Sequence, residues 1–90
     1  MTELDDLTLK TFAKLHRVAR KFPDRLYPIA VKLLRYIQRE DMLGEVFSYD
    51  TEDIHKITNA NTEELYAVMC YFENNDCAMW VDYGKWVFIG

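Results

Sequence analysis

Asp50, Glu52, Asp53 and His55 bring three carboxylates and an imidazole into one short stretch. These are the oxygen and nitrogen donors that divalent cations take. The same run also fits a capped helix start, because acidic side chains in a first turn meet the positive end of the helix dipole. That is the simpler reading, and no metal is expected. His16 lies far from His55, in a different predicted helix, and a lone helical histidine is usually structural. Ser48 is the only serine and has no glycine elbow around it. Gly44, Gly84 and Gly90 are too few and too scattered for a phosphate-cradling loop. Cys70 and Cys77 form neither a CxxC pair nor a zinc-finger spacing. They read as reduced thiols in or near a core. The residues therefore predict a non-enzyme with no cofactor and no small-molecule substrate.

Charge is the stronger signal. The net charge of −4 conceals +4 over residues 1–40 and −8 over residues 41–90. Lys10, Lys14, Arg17 and Lys21 fall on one helical stripe, and Arg25, Lys32, Arg35 and Arg39 on a second. Such stripes suit phosphates or an acidic protein, and equally serve as solvated faces of amphipathic helices. Arg35 and Arg39 are the more telling pair, since a guanidinium forks onto phosphate or carboxylate.

The elements that must carry these residues follow from periodicity. Asp5 or Asp6 can cap a first helix running to about Lys21, with Leu7, Thr11, Phe12, Leu15, Val18, Ala19 and Phe22 on its apolar side. Phe22-Pro23 ends it. A second helix begins between Pro23 and Pro28 and reaches about Arg39, buried through Leu26, Ile29, Ala30, Leu33, Leu34 and Ile37. Gly44 is the expected stop. Glu45–Tyr49 reads as a minor strand, and Asp50 or Thr51 caps a short helix to Thr58 with Ile54 and Ile57 inward. Asn61 caps a long helix to Asn74, with Leu65, Val68, Met69 and Phe72 on one face. Residues 78–81 and 86–89 form a hairpin turned at Asp82-Tyr83-Gly84-Lys85. If Asp82 opposes Lys85, Val81 faces Trp86 and Met79 faces Phe88 on one side, while Trp80 faces Val87 and Ala78 faces Ile89 on the other. Both sides are apolar. Either the first helix covers the second side, or that side is a contact surface.

Residues 46–89 resemble the winged helix-turn-helix family. Counting from Ile54, Ile57 falls at +3, Ala60 at +6, Asn61 at +7, Leu65 at +11, Met69 at +15 and Phe72 at +18. The family's pattern has apolar residues at 0, +4, +6, +11, +15 and +18, a glycine at +5 and a small cap at +7. Here the second apolar residue comes one position early, and Asn59 stands at the glycine position. Asn tolerates left-handed geometry, so the turn survives. The resemblance implies a mostly helical α+β fold over residues 1–90: a single winged helix-turn-helix domain with two additional N-terminal helices and a C-terminal β-hairpin wing.

In that family the long helix commonly enters the DNA major groove. Its outward positions here are Thr62, Glu63, Glu64, Tyr66, Ala67, Cys70 and Tyr71, with no Lys or Arg among them. Two glutamates would be repelled by the phosphate backbone. The wing tip offers Lys85, next to Asp82. The expected function is a small regulator or adaptor acting by protein–protein interaction or self-association. Its candidate contact residues are Glu63, Glu64, Tyr66, Tyr71, Trp80, Tyr83 and Trp86. The alternative is a DNA-binding transcription regulator that uses Lys10, Lys14, Arg17, Lys21, Arg25, Lys32, Arg35, Arg39 and Lys85, or a dimer. No apolar run approaches the ~18 residues of a membrane span. The acidic start lacks a signal-peptide layout. A cytoplasmic protein, of the size of many phage or mobile-element accessory factors, is expected.

Overall fold

The computed structural model describes residues 6–89. Among them the order is α1 (Asp6–Ala19), α2 (Tyr27–Arg39), β1 (Phe47–Ser48), α3 (Glu52–Thr58), α4 (Thr62–Asn74), β2 (Ala78–Asp82) and β3 (Lys85–Phe88). The fold is a mostly helical α+β arrangement whose antiparallel sheet has the order β1-β3-β2. α2 is the central helix and packs on α1, α3 and α4, while α4 carries the sheet through β2. No described helix is long and apolar enough to cross a membrane.

Phenylalanines join the layers. Phe22, from the loop after α1, lies with its ring 4.8 Å from Phe72 of α4. Phe72 meets Phe88 of β3 edge-on at 5.1 Å, and Phe88 stacks on Phe47 of β1 at 5.6 Å. These are favourable aromatic geometries. The six apolar residues expected to bury α2 are all buried, as are Leu65, Val68, Met69 and Phe72 of α4.

Several expectations need correction. α1 stops at Ala19 rather than Lys21, because the chain tightens: Lys21 N–H donates to Val18 and Phe22 N–H to Ala19. Leu7, expected inward, is exposed. The proposed cap Asp5 lies outside the described residues. α2 does end at Arg39, as expected, but its closing residue is Asp41 rather than Gly44. Asp41 takes the left-handed position at φ 55°, while Met42 N–H reaches back to the Ile37 carbonyl and Asp41 N–H to that of Gln38. That is a Schellman closure. The strand expected over Glu45–Tyr49 is confined to Phe47–Ser48. Of the two caps expected for α3, Thr51 is the one used, accepting from Ile54 N–H. Thr58 rather than Ile57 completes the inner side of α3, and its hydroxyl is satisfied by donating to the Ile54 carbonyl at 2.6 Å.

The hairpin register also differs. Asp82 does oppose Lys85, but Val81 bulges out. Trp80 therefore pairs with Trp86, Met79 with Val87 and Ala78 with Phe88. One inserted residue shifts all later pairings and moves Trp80 to the face that carries Trp86 and Phe88.

α4 ends by the same closure as α2, with Asp76 at φ 59° and Cys77 N–H donating to the Phe72 carbonyl. A left-handed backbone costs a residue with a Cβ more than it costs glycine. Asp76→Gly is therefore expected to stabilise the chain by about 0.5–1 kcal/mol. Urea denaturation measures this, and a loss of stability would show that the Asp76 side chain has a role of its own.

Candidate functional site

The α4 N-terminus is held rigidly. Asn61 Oδ1 accepts from Glu64 N–H at 2.8 Å, and Glu64 Oε1 accepts from Asn61 N–H at 3.0 Å. This reciprocal capping box fixes the direction in which Thr62, Glu63 and Tyr66 leave the helix. The β1–α3 loop is tied to the hairpin, because Tyr49 N–H donates to the Gly84 carbonyl at 3.2 Å. Gly84 supplies the positive φ (72°) of that turn.

Between these elements lies a concavity of about 620 Å³, lined by Tyr49, Asp50, Thr62, Glu63, Tyr66, Trp80, Tyr83, Gly84 and Trp86. A volume of that order is typical of ligand sites. Tyr49 and Tyr66 lie 6.1 Å apart and tilted, and Tyr66 meets Trp86 edge-on at 6.4 Å. Trp80 is about half exposed (53%), whereas Trp86 beside it is buried. Trp86 Nε1 is a buried donor without a hydrogen-bond partner. A second groove of about 530 Å³, along Leu7, Thr11, Leu43 and Ile89, has no charged side chain in its lining among the described residues.

Asp50 anchors the cavity wall. Its Oδ1 accepts from Thr62 Oγ1 at 2.8 Å and from His55 Nε2, while His55 Nδ1 donates to the Ala60 carbonyl at 2.8 Å. Both ring nitrogens face acceptors, so the imidazole is best satisfied when it carries both protons. Accordingly His55 is held above its ordinary value, first by the Ala60 carbonyl and then by Asp50. Asp50 is held below its own, first by His55 and then by Thr62. Burial, and then the Asp50 charge, pushes the Tyr49 hydroxyl up. The neighbouring Cys70 does the same to Tyr66. Both rings therefore stay neutral near pH 7.

No family model, curated protein or solved structure matches this chain.

Of the expected contact residues, Glu63, Tyr66, Trp80, Tyr83 and Trp86 come together on the cavity. Trp86 does so as a buried wall rather than an exposed anchor. Glu64 does not join them, because its carboxylate is spent in the capping box. Tyr71 points elsewhere, with its ring 5.1 Å from Phe22. Tyr49, Asp50 and Thr62 line the cavity without being among the expected contact residues, although the sequence marks Asp50 as a possible cap and Thr62 as an outward position of α4. The signal for them was the short strand before Tyr49, since a strand pairing with β3 must bring its end beside the hairpin turn.

The basic residues form no part of this site. Lys10, Lys14, Arg17, Lys21, Arg25, Lys32, Arg35, Arg39 and Lys85 are all exposed, and none lines the cavity. Arg39 lies 3.4 Å from Glu40 and its guanidinium 5.5 Å from the Tyr36 ring centre. Burial lowers the pKa of His16, helped by Arg35 and Arg20 nearby. Lys85 stands opposite Asp82.

Proposed function

We propose that the chain is a winged helix-turn-helix domain that acts without catalysis, as a small regulator or adaptor docking a protein partner at the α4–hairpin concavity. Support for the family reading comes from the order of elements, the β1-β3-β2 sheet and the left-handed Asn59 (φ 54°) in the turn between α3 and α4. The observation that carries the functional reading is the lining. Where such a domain would meet DNA phosphates, this one presents five aromatic rings, Asp50 and Glu63, and no Lys or Arg. Phosphate affinity depends on cations. Aromatic residues are what protein interfaces use as anchors.

A DNA-binding role through α1 and α2 is the second reading, favoured by the exposure of every basic residue on them. Titration of a random-sequence duplex separates the two. At about 50 mM salt, where nonspecific binding is strong, no association is expected. Binding that collapses as salt rises, and that is lost on Arg35→Ala with Lys32→Ala, would transfer the function to the basic helices. On an array of random peptides, retention of the wild type and its loss in Trp80→Ala is the expected positive result.

A further inference from the structure

The cavity's chemistry also selects its occupant, if the docking reading holds. Its rings are tilted or edge-on to one another, so their faces surround a space instead of closing on each other. Trp80, across the strand pair from Trp86, stands about half exposed on the same face. Both carboxylates on the lining have capacity left. Asp50 uses Oδ1 for Thr62 and His55, leaving Oδ2 unbonded, and among the described residues Glu63 has no ion-pair partner. Asp50 already accepts hydrogen bonds from His55 and Thr62, so Glu63 is the more available of the two carboxylates at the rim.

Each class of occupant meets this surface differently. An anion is repelled by two carboxylates. A neutral apolar group gains burial but strips water from those carboxylates and returns nothing to them. A cation is attracted both by aromatic faces and by acidic oxygens. Among biological cations, a guanidinium can stack flat on a ring while its edge donates to a carboxylate, whereas a compact ammonium cannot do both well. We propose that the cavity is a receptor for the arginine side chain of a partner protein, stacked among Trp80, Tyr66 and Tyr49 and held by Glu63 and Asp50.

The test uses the whole chain and three capped tripeptides, Gly-Arg-Gly, Gly-Lys-Gly and Gly-citrulline-Gly, read by tryptophan emission and calorimetry. Citrulline keeps the planar shape and removes the charge. The arginine peptide is expected to give a saturable emission change, with lysine weaker and citrulline about tenfold weaker, the scale of a cation–π contact plus a charge-assisted bond. Trp80→Ala should weaken arginine binding about tenfold, while Trp80→Phe, which keeps an aromatic face, retains most of it. Glu63→Gln should weaken it severalfold and flatten its salt dependence. Trp80 and Glu63 are exposed, so these variants leave the core intact, which circular dichroism checks. Equal affinity for arginine and citrulline, or binding indifferent to Trp80→Ala, overturns the proposal. If neutral or acidic array peptides bind through Trp80 and the arginine peptide does not, the arginine assignment falls and the docking surface stands. If nothing binds to wild type or variant, both fall.

Discussion

Phe72→Ala is expected to bring the chain close to unfolding. Phe72 is fully buried and touches rings from two different places, Phe22 after α1 and Phe88 on β3, and Phe88 in turn stacks on Phe47 of β1. Removing a buried phenylalanine costs about 3–5 kcal/mol, since the void closes only in part. A domain of this size has about 5–15 kcal/mol in total, and each kcal/mol moves the melting point by roughly 4–8 °C. Thermal circular dichroism should show a fall of tens of degrees. The loss should also reach the site, because Phe72–Phe88 is a buried ring contact between α4 and the hairpin, alongside that of Tyr66 with Trp86. Trp80 and Trp86 emission should redden at least as early as the helical signal fades. A destabilisation below about 1 kcal/mol would mean that the phenylalanine chain does not hold the sheet to the helices.

The two histidines should be shifted in opposite directions from the ordinary imidazole value. His55 is raised above 6.5, first by the Ala60 carbonyl and then by Asp50, whereas His16 is lowered from 6.5 by burial and by Arg35 and Arg20. The stability that His55 contributes is complete below 6.5, its value in the unfolded chain, and is lost as pH rises through the raised folded value. Asp50 works at the other end: lowered from 3.8 by His55 and Thr62, its contribution is present above 3.8 and lost as pH falls through the lower folded value. The α3–α4 junction is therefore tightest between 3.8 and 6.5, where both contributions are complete. His16 opposes the trend, since its depressed value removes stability as pH falls below 6.5. A melting curve sums all three, so the test reads each imidazole by NMR. Asp50→Asn should bring the His55 midpoint down toward 6.5 and leave His16 where it was. A wild-type His55 midpoint at or below 6.5 would remove the doubly protonated ring from the junction.

How much of this was legible beforehand depended on the kind of signal. α2 and α4 are long and one-sided, so their buried faces could be read from spacing, and Asn61 announced a helix start. Register could not be read in the same way. Strand alternation counted back from Gly84 is correct for Asp82 and wrong from Val81 onward, because a bulge adds a residue without any change in composition. Thr58 was passed over for Ile57 because a buried hydroxyl that donates to its own helix behaves as an apolar residue. The site was half legible. Its tryptophans and Glu63 stood out by type, but Tyr49 and Asp50 belong to a loop. What places them is a hydrogen bond to Gly84, thirty-five residues after Tyr49 in sequence.

The bulge at Val81 has a consequence for life in a crowded solution. β2 is the outer strand of a β1-β3-β2 sheet, with Met79 and Val81 about half exposed (49% and 45%). A straight, apolar outer strand is a template on which a foreign strand can add. Where Val81 bulges, the evenly spaced row of donors and acceptors along β2 is broken, so a neighbouring chain finds only a short stretch of ladder to extend. The residue that rotates Trp80 toward the cavity thus also keeps the outer edge of the sheet from polymerising.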